Sequence, residues 1–178
     1  MGNPSMATAD PTNFNNYLMM KPHYALSYSR DRGTPNWVSW HVNKSWIGDA
    51  PRQNNFRTDV TLPEGWYKVT TTSYSGSGFD RGHNVPSADR TSTEADNSAT
   101  FLMTNIIPQA PKNNQETWAN LEDYTRRLVD EGNEVYVIMG NYGTGSTGSN
   151  GTAQTIDGGR IVVPANIWKV ELLELSGQ

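Results

Sequence analysis

The chain is predicted to fold as α+β: mostly antiparallel sheet with helices packed on it. Three observations predict this. Bulky apolar residues alternate with small or polar ones in the N-terminal third, one long stretch in the centre has helical periodicity, and apolar β-branched runs follow it.

Up to about residue 20 there is no clear period, and this segment is expected to wrap the surface. Tyr24 to Tyr28 and Trp37 to Val42 alternate as strands do, and the turn formers from Arg30 to Pro35 between them predict a β-hairpin. Residues 43 to 66 carry few periodic apolar positions and read as irregular, with Arg52 among them. Trp66 to Thr72 reads as a short strand. Asn113 to Val129 reads as the long helix. Asn113 would cap it, with Glu116 three residues on in a capping-box spacing. Trp118, Leu121 and Leu128 form its apolar stripe, and Gly132 supplies a left-handed stop. Glu134 to Met139 is then a buried strand, Gly140 to Thr155 a polar hairpin loop, and Arg160 to Val163 and Ile167 to Leu175 are further strands. No lysine followed by Ser or Thr succeeds a glycine in the 140–155 loop, so it is not read as a phosphate cradle.

At 178 residues, with 35% hydrophobic and 10% aromatic content, the chain suits one globular domain over 1–178. No apolar run is long enough to span a bilayer. Met1 to Asp10 shows neither the basic start nor the apolar stretch of a signal peptide. Zero cysteines exclude disulfides, thiolate metal sites and cysteine nucleophiles. A net charge of −4 argues against a static nucleic-acid binder, which would carry a broad basic face.

The chemistry concentrates in Asp80-Arg81-Gly82-His83, after the Gly-rich run Ser75 to Phe79, and in Asn114, Glu122 and Arg126 on the predicted helix. Only three histidines occur, so few residues compete for the role of base. An imidazole can take a proton near neutral pH, an amide oxygen suits a hard cation such as Mg²⁺, and arginine grips phosphate through its planar fork. Together they supply what phosphodiester cleavage needs. At about 100° per residue, Glu122 lies roughly 80° and Arg126 roughly 120° around an ideal helix from Asn114, so the three can border one cleft. Taken singly, Asn114 also reads as a helix cap that could exchange roles with Asn113. Glu122 and Arg126 also read as an ordinary i,i+4 salt bridge. His23 and His41 lack such partners and read as packing or surface residues.

Phe79 to Pro86, Thr104 to Gln109, Asn114-Gln115, Trp118, Leu121 to Asp123 and Arg126 together resemble the sugar-nonspecific DNA/RNA endonucleases of the ββα-metal (His-Me finger) group. Asn3 to Ser5, Tyr24 to Tyr28 and Asn36 to Val38 are similar to the secreted cyanobacterial type. The resemblance implies an active-site ββα-metal motif and hydrolysis of DNA and RNA to 5′-phosphate products. It makes His83 the general base, Asn114 the sole protein ligand of Mg²⁺ (with Mn²⁺ substituting) and Glu122 the holder of water on that metal. Arg126 would stabilise the charge at phosphorus, and Arg52 would be a second arginine on the phosphate. Asp80, Arg81 and Asn105 would support the site. The resemblance further implies DNA and RNA as substrates, a protein inhibitor as a partner, a monomer with no membrane contact, and a secreted or periplasmic location. Members of this type continue for several tens of residues beyond the position of Leu175. The chain is therefore expected to lack the family's C-terminal segment and to leave a strand edge open.

Overall fold

The computed structural model describes residues 2–175. In chain order the elements are β1 (Tyr17–Met20), β2 (Ala25–Ser29), β3 (Thr34–Val42), β4 (Asp80–His83), α1 (Glu94–Ala99) and β5 (Ile106–Gln109). Then come a π-helical turn (Asn113–Trp118) running into α2 (Ala119–Asp130), and β6 (Glu134–Tyr142). The last are β7 (Ser146–Gly148), β8 (Gly151–Ala153), β9 (Thr155–Ile156), β10 (Ile161–Val162) and β11 (Asn166–Glu174).

A five-stranded sheet of order β1-β2-β3-β6-β11 is antiparallel throughout. Alternation along β6 decides its two faces. Val135, Val137 and Met139 meet Trp118 and Val129 of the long helix in the main core, whereas Ile138 packs on the opposite face with Trp37 and Ala7. The predicted α+β class therefore holds, and the hairpin of β2 and β3 lies where the alternation placed it.

Four local expectations change. Residues before 20 do more than wrap the surface: Tyr17–Met20 is an edge strand paired to β2, too short for its alternation to stand out. The span 66–72 forms no strand; Val69 is buried in a second core and Thr71–Tyr74 closes a 3₁₀ turn. The long helix starts earlier than Asn113. Lys112 is already helical (φ −61°, ψ −41°), and the Asn114 amide donates to the Ala110 carbonyl at 2.9 Å. Pro111 explains the shift, because proline is pre-set for a first helical turn and has no amide hydrogen to lose there. Gly132 does stop the helix, at φ +96°, with its amide on the Val129 carbonyl and that of Asn133 on Leu128. The 140–155 loop is partly strand, since β6 continues to Tyr142 and β7 and β8 form a small hairpin.

The site is carried by a smaller unit. β4 and β5 pair antiparallel, with Asp80 opposite Gln109 and His83 opposite Ile106, and the chain then turns into the long helix. Gly82 has no side chain because a Cβ there would lie 2.7 Å from the Gln109 Cβ and closer still to its amide oxygen. That close approach is what lets the two short strands lie together between the helix and the second core.

Candidate active site

A cleft of about 320 Å³ opens where β4, the 3₁₀ turn after it and the long helix converge. Arg52, Arg81, His83, Asn114, Glu122 and Arg126 all line it. Two of the supporting residues stand outside its walls. Asp80 is directly behind Asn114, and Asn105 is buried beneath the strand turn.

His83 ends β4 with its ring packed against both Phe56 and Phe101, at centroid distances of 5.4 and 4.9 Å. Its Nε2 is buried without a hydrogen-bond partner, so Nδ1 is the nitrogen left to the cleft. Burial, reinforced by the positive charges of Arg52 and Arg81, brings the imidazole pKa down to about 3. Asn105 holds the backbone just after the histidine: its amide oxygen accepts from the Val85 amide at 3.0 Å and its nitrogen donates to the carbonyls of Val85 and Thr100.

Asn114 donates its side-chain nitrogen to Asp80 Oδ2 at 2.9 Å, and Gln115 donates to the same oxygen at 2.8 Å. That bond settles which end of the amide is which and leaves Asn114 Oδ1 as the free atom, a hard oxygen donor. Among the described residues no three His, Asp or Glu side chains cluster to cage a metal. A cation at Asn114 would therefore keep most of its water or take phosphate oxygens, as Mg²⁺ does.

Glu122 and Arg126 form no ion pair with each other. Arg126 is tied to the buried Asp89 at 2.9 Å and to Asp123 at 2.5 Å. Glu122 has no ion-pair partner among the described residues, and burial pushes its carboxyl up to about 7, against the pull of Lys169 and Arg126. The π-helical turn also alters the geometry expected from an ideal helix. Its wider winding between Asn114 and Ala119 means that the 80° and 120° separations do not apply. The residues reach one cleft nevertheless. Arg52 is fixed by Asn54 Oδ1 at 2.7 Å and by Ser87 Oγ.

Sequence reasoning missed four residues that shape this site. Asp89 anchors Arg126 and accepts from the Trp40 indole at 2.9 Å, and Ser87 and Asn54 orient Arg52. Ser87 and Asp89 follow His83 so closely that their position was the available signal. Lys169 gave none: β11 brings its ammonium against the rings of Trp118 and Trp40, at 5.1 and 5.7 Å, on the Glu122 side of the sheet. His23 and His41 lie elsewhere, paired with Asp96 and Glu134.

A two-stranded ribbon leads into a long helix, with a histidine, an amide and arginines around one cleft. The chain belongs to the DNA/RNA non-specific endonuclease family, whose model matches residues 1–177. Among individual proteins, it is 54% identical over 170 residues to a nuclease of Nostoc sp., covering 96% of this chain and 59% of that protein. It is 34% identical to human mitochondrial endonuclease G over 167 residues, covering 90% of this chain and 56% of the relative. A solved structure of an EndoG/EndoGI complex, described as showing the mechanism of EndoG inhibition, superposes with a TM-score of 0.74 at 25% identity. That match covers 86% of this chain and 66% of the other. The chain thus spans little more than half the length of these two curated relatives. Among the described residues no helix is long and apolar enough to cross a membrane.

Proposed function

We propose that the chain is a Mg²⁺-dependent endonuclease that hydrolyses DNA and RNA without regard to the sugar, breaking the P–O3′ bond to leave 5′-phosphates. The observation that carries this reading is the convergence of His83, Asn114, Glu122, Arg52 and Arg126 on one cleft from three separate parts of the chain. The scissile phosphate sits among Arg52, Arg81 and Arg126, whose forks match its oxygens. His83 takes a proton from the attacking water at Nδ1. A pKa near 3 leaves it neutral and ready throughout the working range, although weakly basic. The arriving phosphate offsets the charges of Arg52 and Arg81 and so strengthens the base when it is needed.

A cation held at Asn114 Oδ1 would supply Lewis-acid polarisation of the phosphoryl group and neutralise charge there. Asp80 keeps that oxygen turned outward by holding the amide nitrogen. Glu122 would supply the negative counterpart to such a cation, and Arg126, anchored by Asp89, faces the charge that grows at phosphorus. An overall acidic protein can still act on a polyanion in this way, because the positive charge is concentrated where the phosphate binds. We place its work outside the cytoplasm on the likeness to the secreted type.

Digestion of plasmid DNA and of RNA, with Mg²⁺ or Mn²⁺ and then with EDTA, tests the proposal. Both substrates are expected to be cut only with the metal; substrates left intact under every condition reject it. His83→Ala is expected to lower turnover by about 10²–10⁴ with an unchanged circular dichroism spectrum. Near-normal turnover would remove His83 as the base.

A further inference from the structure

A second cavity, of about 390 Å³, opens beside the cleft and shares Arg81 and Asn114 with it. Its remaining walls are Phe56, Thr71, Tyr74, Ser75, Phe79 and Asp80. The two compartments differ in charge. The cleft gathers three arginines against the one carboxylate of Glu122, whereas in the second cavity Arg81 is offset by Asp80 among aromatic rings. A phosphate is therefore drawn more strongly to the first than to the second. We propose that the second cavity binds the nucleoside joined to one side of the scissile phosphate, with its base stacked on the layer formed by Arg81 and Phe56. This rests on the nuclease reading of the neighbouring cleft.

The stacking layer is already built. The Arg81 guanidinium lies 3.9 Å from the centroid of the half-buried Phe56 ring, and Phe56 is braced edge-on by Phe101 at 4.9 Å. A guanidinium plane held against an aromatic ring is a surface on which a base can stack, and every base has a face to offer. The polar groups nearby, the exposed Thr71 and Ser75 hydroxyls, can each donate or accept, so they impose no base code. The wall is also held in place. Gly78 adopts φ +81° and presses against the β7–β8 turn so closely that a Cβ would lie 2.7 Å from the Asn150 nitrogen. Ser149 and Asn150 bond the carbonyls of Gly78 and Gly76 at 2.9 and 2.8 Å. The 140–155 segment thereby serves as a brace for the Gly-rich run before Asp80.

Tetranucleotides in which one abasic residue replaces the nucleotide on either side of the cleaved bond provide the test. Removing the base on the cavity side is expected to lower kcat/KM about tenfold or more, and removing the other base to change it little. Ser75→Trp and Thr71→Trp, which fill the cavity from its exposed rim, should lower kcat/KM on the intact substrate and erase the difference between the two abasic forms. Equal effects on both sides, or full activity and undiminished side preference in both variants, would overturn the proposal while leaving the nuclease reading intact. If the parent protein cleaves nothing, the nuclease reading fails separately. Titration with thymidine 3′,5′-bisphosphate then decides the cavity: backbone amide shifts at Phe56, Thr71 and residues 74–81 support it, and shifts absent there refute it.

Discussion

Glu122 is a half-buried carboxylate facing cations it does not touch, and that state leaves a mark on stability. Its folded pKa of about 7 lies above the ordinary 4.5, so the folded protein holds a proton that the unfolded chain releases between those values. Stability contributed by this residue is therefore present below pH 4.5 and lost as pH rises to 7. In EDTA, Glu122→Gln should melt progressively higher than the parent across that window, with the gap levelling off above it. Added Mg²⁺ should narrow the gap at pH 8. A gap that stays flat with pH would show that the carboxyl is not so perturbed. His83 acts in the opposite sense, since its lowered value costs stability as pH falls from 6.5 towards 3, but it is common to both proteins and cancels. Asp80 acts at the same scale. Asp80→Ala frees the Asn114 amide to turn over, and the metal concentration for half-maximal activity is expected to rise about 10- to 100-fold. An unchanged metal requirement would mean that Asp80 does not orient that amide.

At the scale of elements, the π-helical turn is the unusual feature. A π turn amounts to one extra residue within an α-helix, and it sits between Asn114 and the α-helical segment bearing Glu122 and Arg126. Deleting the exposed Thr117 restores an α-helical count and swings Asn114 about 100° relative to Glu122. The helix should persist by circular dichroism while activity falls about 10²-fold or more, because catalytic groups tolerate little misplacement. Retained activity would mean that the turn does not set the site. β11 is a further element with a consequence. Its inner face carries Lys169 towards the cleft and Glu171 to Thr125, but Val170 and Leu172 are 53% and 56% exposed on the other face. Its outer edge has no strand partner among the described residues. Leu172→Lys should reduce self-association at high protein concentration, measured by light scattering, without changing nuclease rates.

For the molecule as a whole, the balance of charge sets how substrate is held. The net charge is −4 and the cleft concentrates Arg52, Arg81 and Arg126, so the proposed substrate would be gripped locally. With the three arginines on one phosphate, log kcat/KM at low substrate should fall with log salt with a slope of about −1 on double-stranded DNA. A slope twice as steep would reveal an extended basic track that the surface residues do not suggest.

The class of fold was legible because hydrophobic alternation and helical periodicity are local properties, visible in the strands around Leu26 and Val38 and in the stripe of Trp118, Leu121 and Leu128. The residues that line the candidate cleft could be picked out too, because few side chains can serve as base, hard ligand and phosphate clamp. Short β1 carried too little pattern to be seen, and Pro111 moved the helix start ahead of a plausible cap. What only the tertiary structure decided was contact. Pairing of β4 with β5 depends on Gln109 passing over a glycine, Arg126 chooses Asp89 rather than its helical neighbour Glu122, and Lys169 reaches the site from the last described strand. None of these is encoded by spacing, since each depends on which surfaces meet after distant segments pack. The sequence alone determined which chemical groups are available and roughly where along the chain; packing determined which of them face one another, and with what charge.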